Sequence, residues 1–210
     1  MYTLYYAPGT ASMSVHLALI ELGVPHELHR VDFDAREQKS AAYLALNPNG
    51  SVPTLIVDGQ PVYESGALLL LLAERHAQAH LAPAPGTPAR ALFLQWMVHF
   101  ANTVQPAFRI WFSAKEFVGP GDIDGAKALA RDHIEAAWDR LSAHLTAHGP
   151  YVAGDAFGVA DIFAILLMRW SRNMPKPATS WPALAALAER VKSRPSWKKL
   201  YAIEGLTEWA

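Results

Sequence analysis

Every strand-like pattern in this chain lies before Glu64, and every segment after Pro88 repeats its apolar residues at helical spacing. Such a chain has to fold as a small mixed layer of strands and helices followed by a body of helices alone. Tyr2–Tyr6 reads as a strand, Pro8-Gly9 as a turn, Ser14–Leu22 as a helix closed by Gly23, and Glu27–Phe33 as a second strand. That order predicts parallel strands joined right-handedly. Pro53–Val57 and Gln60–Tyr63 flank Asp58-Gly59, which predicts a hairpin, and Ser65 opens a helix to about His76. The run "AQAHLAPAPGTP" (Ala77–Pro88) then marks a domain boundary. Beyond it, helices are expected over Ala89 to about Glu116, Ile123 to about His148, Val159 to about Ser171 and Pro182 to about Val191, with a short one from Ser196 to Ala202. The expected organisation is an α/β domain over residues 1–77, a linker over 78–88, and an all-α domain over 89–210.

Composition narrows the chemistry. Half of the 210 residues are hydrophobic (51%), ample for packed cores. Lys plus Arg (18) balances Asp plus Glu (19), so no net field favours nucleic acid or an anionic membrane. The absence of cysteine excludes disulfides, thiolate metal sites and any protein-thiol mechanism, and it suits a reducing compartment. The chain enters a strand pattern at once, with no basic leader, and the apolar run Leu68–Leu72 is too short to cross a bilayer. A cytoplasmic protein is expected.

Between the first strand and the first helix stand Thr10, Ala11 and Ser12. There, unpaired backbone N–H groups and the positive end of the helix dipole face outward, a place to hold an anion. The His76/His80 and His144/His148 pairs have i, i+4 spacing, but neither carries the glutamate of a zinc-protease helix or a third ligand nearby. They read as solvated helix ends, and no metal is expected.

Three stretches point the same way: "NPNGSVPTL" (Asn47–Leu55), "VYESGALLLLLAERH" (Val62–His76) and "GDAFGVADIFAILLMRW" (Gly154–Trp170). In this order and at these spacings they resemble the glutathione S-transferases, and the resemblance runs on through "RPSWKKLYAIEGL" (Arg194–Leu206). It implies a thioredoxin-like first domain, glutathione as co-substrate, a small electrophile as second substrate and a homodimer. It also implies a cis bond between Val52 and Pro53, with the valine N–H and C=O pairing the cysteinyl part of the tripeptide. Glu64 and Ser65 would read the γ-glutamyl ammonium and carboxylate, and Arg36 the glycyl carboxylate.

The chain departs from the bacterial beta type that it otherwise most resembles. Ala11 stands where those relatives carry a cysteine, whereas Thr10 stands where delta-type relatives carry a catalytic serine. Thr10 is therefore the favoured donor to a bound thiolate, with Ser12 as the alternative. Lowering a thiol pKa of about 8.5 by two units requires about 2.7 kcal/mol. A hydroxyl bond to a charged acceptor, roughly 1.5 to 3 kcal/mol, together with a helix terminus can supply it. Tyr5 and Tyr6 read as core or edge residues, and Gln105-Pro106 replaces a His-Lys pair of the beta type. The electrophile is expected between the domains, against Phe108, Trp111 and Trp170, with Arg109 able to meet an anionic group. Asp161 matches a folding element of the family, a helix N-terminal box whose Ser or Thr is here Gly158. The expected activity is thiolate conjugation. A peroxidase, an isomerase, an ether-cleaving lyase or a non-catalytic binder on the same scaffold are the alternatives.

Overall fold

The computed structural model describes residues 1–209. Their contacts divide the chain into two compact units, one of residues 1–80 with the segment from 192 onward, the other of residues 81–191.

In the first unit, β1 (Tyr2–Tyr6), α1 (Ser12–Leu22), β2 (His26–Arg30), α2 (Ala41–Leu46), β3 (Thr54–Val57), β4 (Gln60–Tyr63) and α3 (Ser65–Arg75) follow in chain order. The sheet order is β2-β1-β3-β4. β1 pairs parallel with β2 and antiparallel with β3, which closes the Asp58-Gly59 hairpin with β4. Leu4 and Leu55 meet in register and are fully buried. β2 stops earlier than its pattern suggests because Asp32 opens a turn. Its carboxylate accepts the Ala35 N–H at 2.9 Å, and its own N–H donates to Glu37 Oε2 at 2.7 Å. The first helix begins at Ser12 rather than Ser14, with Ala11 as its N-cap and no side-chain cap.

The last helix of the chain corrects the expected division. Pro195–Glu204 groups with the sheet and not with the other helices. It buries Trp197, Leu200 and Tyr201, and Arg194 just before it forms an ion pair with Glu21 of α1. Burial pushes the Glu21 carboxyl up, but the Arg194 guanidinium and the Ser196 hydroxyl together outweigh that and hold it below the usual range.

The second unit contains α4 (Pro88–His99), α5 (Gln105–Val118), α6 (Ile123–His148), α7 (Val159–Trp170) and α8 (Pro182–Lys192), so the final helix of the chain is α9. The single helix expected from Ala89 to Glu116 is interrupted by a π-helical turn at Phe100–Val104. Pro106 is the physical reason, since it offers no N–H to the carbonyl of Asn102, inside that turn, and its ring crowds the same carbonyl. α5 is kinked again at Ser113, whose φ of −132° and ψ of 37° are not helical.

α7 is the buried axis of this unit, with every residue from Val159 to Arg169 buried. Asp161, fully buried, accepts the N–H of Gly158 and of Val152, both at 2.8 Å. Gly158 lacks the side chain a capping box needs, and the structure shows why. A Cβ there would meet the Leu81 carbonyl oxygen at 2.4 Å, and that carbonyl accepts the Val159 N–H at 2.8 Å. The close passage of the chain at Leu81 has displaced half of the box, leaving Asp161 to order the loop alone. Asp161→Asn should therefore lower stability by roughly 2 to 4 kcal/mol, because one of two buried N–H groups then faces an NH2. Urea unfolding measures this, with ligand affinity of the folded protein unchanged.

Candidate functional site

Three sequence-predicted features meet in the first unit. At the start of α1, the Ala7 carbonyl accepts the Thr10 N–H at 3.3 Å, the Thr10 hydroxyl at 2.7 Å and the Ser12 hydroxyl at 3.1 Å. The two hydroxyls also lie 2.9 Å apart, and Ser12 Oγ accepts the Ala7 N–H at 3.2 Å. Ser12 is fully buried whereas Thr10 is partly exposed. Among the described residues, the N–H groups of Ala11 and Ser12 have no backbone partner, as the first turn of a helix requires. Ser12 is thus an internal brace of the turn and not a helix cap.

The second feature is the loop into β3. The Val52–Pro53 peptide bond is cis, and among the described residues neither the N–H nor the C=O of Val52 has a backbone partner. Buried side chains hold this loop. Asn47 donates to the Ser51 carbonyl at 2.9 Å and to Thr54 Oγ1 at 3.1 Å, and its Oδ1 accepts the Asn49 N–H at 3.0 Å. The Tyr43 hydroxyl donates to the Ser51 carbonyl at 2.8 Å and lies 3.0 Å from Thr54 Oγ1. Burial pushes the Tyr43 phenol up, so it stays a donor. Beneath the loop Ala7, Val31, Tyr43 and Val52 form one apolar cluster with Tyr5 against it.

The third feature is the start of α3. Glu64 is exposed and has φ 77°, an uncommon value for a residue with a side chain, and Ser65 behind it is buried. Ser65 Oγ lies 3.5 Å from the Ala11 carbonyl, so the starts of α1 and α3 stand side by side. Arg36 sits exposed at a left-handed position before the helical turn Glu37–Lys39, and among the described residues its side chain has no hydrogen-bond or ion-pair partner. Lys39, which the sequence did not single out, reaches the Asn49 carbonyl at 3.4 Å and so lies over the Val52 loop. Tyr5 packs its ring on His29 and Tyr43, and Tyr6 is buried against His16.

In the second unit, Phe108, Phe112 and Trp170 form one aromatic cluster with ring centroids 5.8 to 5.9 Å apart. Phe108 is fully buried, so the accessible faces belong to Trp170 and to Phe112, which is 55% exposed. Trp111 joins no ring contact among the described residues. Arg109 is engaged with Glu116 in an exposed ion pair. His144 Nε2 is 2.8 Å from the Val152 carbonyl, and His76 Nε2 is 2.9 Å from the Tyr2 hydroxyl. Among the described residues no group of three or more His, Cys, Asp or Glu is placed to hold a metal, and no helix is long and apolar enough to cross a membrane.

Comparison with known proteins decides the family. Residues 10–75 match the model of the glutathione S-transferase N-terminal domain and residues 124–195 that of the C-terminal domain. A sphingomonad glutathione S-transferase solved in complex with glutathione superposes with a TM-score of 0.84 at 32% identity, over 98% of this chain and 100% of that one. The chain belongs to the glutathione S-transferase family. Glutathione S-transferase GST-4.5 of Xanthomonas campestris pv. campestris is 28% identical over 204 residues, 97% of this chain and 98% of the relative. A maleylacetoacetate isomerase of Rhizobium meliloti is also 28% identical, over 88% of each chain.

Within this family frame, the side chains that touched backbone were the hardest to foresee. Tyr43 and Asn47 look like ordinary helix and loop residues, and only the fold brings both onto Ser51 and Thr54. Phe112 is one helical turn from Phe108, a signal that the spacing did contain.

Proposed function

We propose that this transferase binds glutathione on its first unit, holds the thiol as thiolate beside Thr10, and adds the sulfur to a small, partly apolar electrophile. One count of donors carries the reading. The Ala7 carbonyl has two lone pairs but three donors aimed at it, one more than it needs, and the spare hydroxyl proton can turn to the other hydroxyl oxygen 2.9 Å away or outward. Ser12 is buried and stays on Ala7, so the excess belongs to Thr10, which turns outward without leaving a buried acceptor empty. The unpartnered N–H groups at the start of α1 add their positive field to the same place.

The tripeptide fits the rest of the unit. The free N–H and C=O of Val52 suit the cysteinyl backbone, as in strand addition. The γ-glutamyl carboxylate meets the Ser65 hydroxyl and the first turn of α3, and its ammonium meets Glu64. Arg36 and Lys39 are the cations available for the glycyl carboxylate. Once the thiol has lost its proton to water, sulfur attacks the electrophilic carbon. The new C–S bond forms as a leaving group departs with its electron pair, or as an activated double bond takes up the electrons and then a proton. The second unit carries an accessible aromatic face of its own, Phe112 and Trp170. With no cysteine in the chain, no mixed disulfide between protein and glutathione forms. An isomerisation like that named for the Rhizobium relative would use the same thiolate. The composition suits a cytoplasmic protein.

We also propose a homodimer, supported by the exposed Leu92, Leu94 and Val98 on α4.

Glu64→Ala should weaken glutathione binding by about 1.5 to 3 kcal/mol, the scale of a charged hydrogen bond. Calorimetry reads it, and an unchanged dissociation constant removes Glu64 from the site. Thr10→Val should raise the pKa of the bound thiol by about one to two units at nearly constant affinity. Ser12→Ala should instead cost about 1 to 3 kcal/mol of stability by leaving the Ala7 N–H unpaired, with a smaller pKa change. Ultraviolet thiolate absorbance against pH separates the two, and a larger shift in Ser12→Ala would reverse the roles. Light scattering at micromolar concentration should give twice the 23.0 kDa chain mass. A single species at chain mass excludes the dimer there.

A further inference from the structure

Ala7, Pro8, Gly9 and Thr10 form a tight turn closed by the Thr10 N–H on the Ala7 carbonyl, with Gly9 at φ 68°. Proline second and a positive-φ glycine third are the type II signature. In such a turn the N–H of the third residue takes no part in closure. Here it is captured from the far end of the chain. Gly9 N–H donates to Glu204 Oε2 at 2.8 Å, across 195 positions of sequence, and Glu204 is the last residue of α9. The other carboxylate oxygen, Oε1, is 2.8 Å from His16 Nδ1 of α1, and both side chains are fully buried. A carboxylate only accepts, so the Nδ1 proton points at it and the His16 tautomer is set. His16 Nε2 has no partner among the described residues, so Glu204 is the hydrogen-bond partner of this buried ring.

We propose that Glu204 is a positioning residue for the thiolate site: it fixes the Pro8–Gly9 peptide and, through that peptide, the direction of the Thr10 hydroxyl. Type I and type II turns differ by a flip of this central peptide, and glycine in third place permits both. The turn by itself is therefore bistable. Glu204 selects one state, because the flip would break a charge-assisted bond and turn the Pro8 carbonyl towards a buried carboxylate. His16 holds the carboxylate to that task by occupying its second oxygen. The proposal rests on the thiolate reading of Thr10 given above.

The two are tested together but fail separately. Glu204→Met removes the acceptor at similar volume. It should raise the pKa of the bound thiol by about half a unit to one unit, the equivalent of one net hydrogen bond, and lower kcat with a chlorodinitrobenzene while KM for glutathione changes less than about twofold. Glu204→Gln should restore most of both, since its amide oxygen still accepts from Gly9 and the His16 ring can change tautomer to accept from the amide NH2. Arg194→Met breaks another tie of the last helix to α1, the Glu21 ion pair, which lies outside the turn. It should lower the melting temperature and leave the thiol pKa in place. In the free protein, Gly9 amide hydrogen exchange should be slow in wild type and Glu204→Gln, and faster by roughly tenfold or more in Glu204→Met. An unprotected Gly9 amide in wild type overturns the proposal even if Glu204→Met does not fold. So does an unchanged thiol pKa in Glu204→Met, or an equal shift in Arg194→Met. If wild type binds glutathione without lowering its thiol pKa, the thiolate reading of Thr10 falls and the positioning role falls with it. Slow Gly9 exchange then shows only that Glu204 holds the turn.

Discussion

The first unit is organised around one carbonyl oxygen, that of Ala7, on which the Thr10 N–H and the hydroxyls of Thr10 and Ser12 all converge. A backbone carbonyl at the end of a central strand must be satisfied, and here it is oversatisfied. The surplus leaves one hydroxyl able to turn away from the carbonyl. A strand end with only enough donors would bind every hydroxyl inward, and redirecting one would leave a buried acceptor empty at about 1 to 3 kcal/mol. With a surplus, the Thr10 hydroxyl is able to turn outward while Ser12 keeps the carbonyl covered.

The same principle, a side chain ordering backbone at a loop, recurs in both units. Asn47 and Tyr43 fix the loop that carries Val52 through four hydrogen bonds to Ser51 and Thr54. Asp161 fixes the loop before α7 through the N–H groups of Gly158 and Val152. All three side chains are buried, where an unmade hydrogen bond costs most and a made one is therefore most directive. Apolar packing stabilises the elements, and these polar contacts decide where the segments between them run.

Helix irregularity does comparable work in the second unit. Pro106 forces a π turn before α5, and Ser113 bends the same helix one turn after Arg109. Phe108 and Phe112 stack at 5.9 Å within α5 and both meet Trp170 at the end of α7. One of the two phenylalanines is core and the other surface, so the cluster joins the packing of the unit to an accessible aromatic face.

Much of this was legible in the chain. The period of the apolar residues set the type of most elements, Asp58-Gly59 set the hairpin, and the Ala/Pro/Gly run from Ala77 to Pro88 marked where strands cease, while α2 and the break between α4 and α5 left no such mark. These are local signals, carried by neighbours within a few positions, and local sterics and solvation act at that range. The positions of Thr10, Val52, Pro53, Glu64 and Ser65 were also visible, since each lies at a strand or helix end that the pattern marks. What the chain could not show is any contact whose partners are far apart in sequence. Gly158 reads as a missing cap until the Leu81 carbonyl is seen beside it, and Lys39 as a solvated lysine until it reaches Asn49. Glu204 lies past the terminal helix expected from the sequence, and only the fold brings His16 and Gly9 onto its two oxygens. The sequence by itself determined most of the elements and the approximate positions of their ends. Tertiary structure alone decided which of those ends share a buried hydrogen bond, because burial and direction belong to the packed chain and not to any stretch of it.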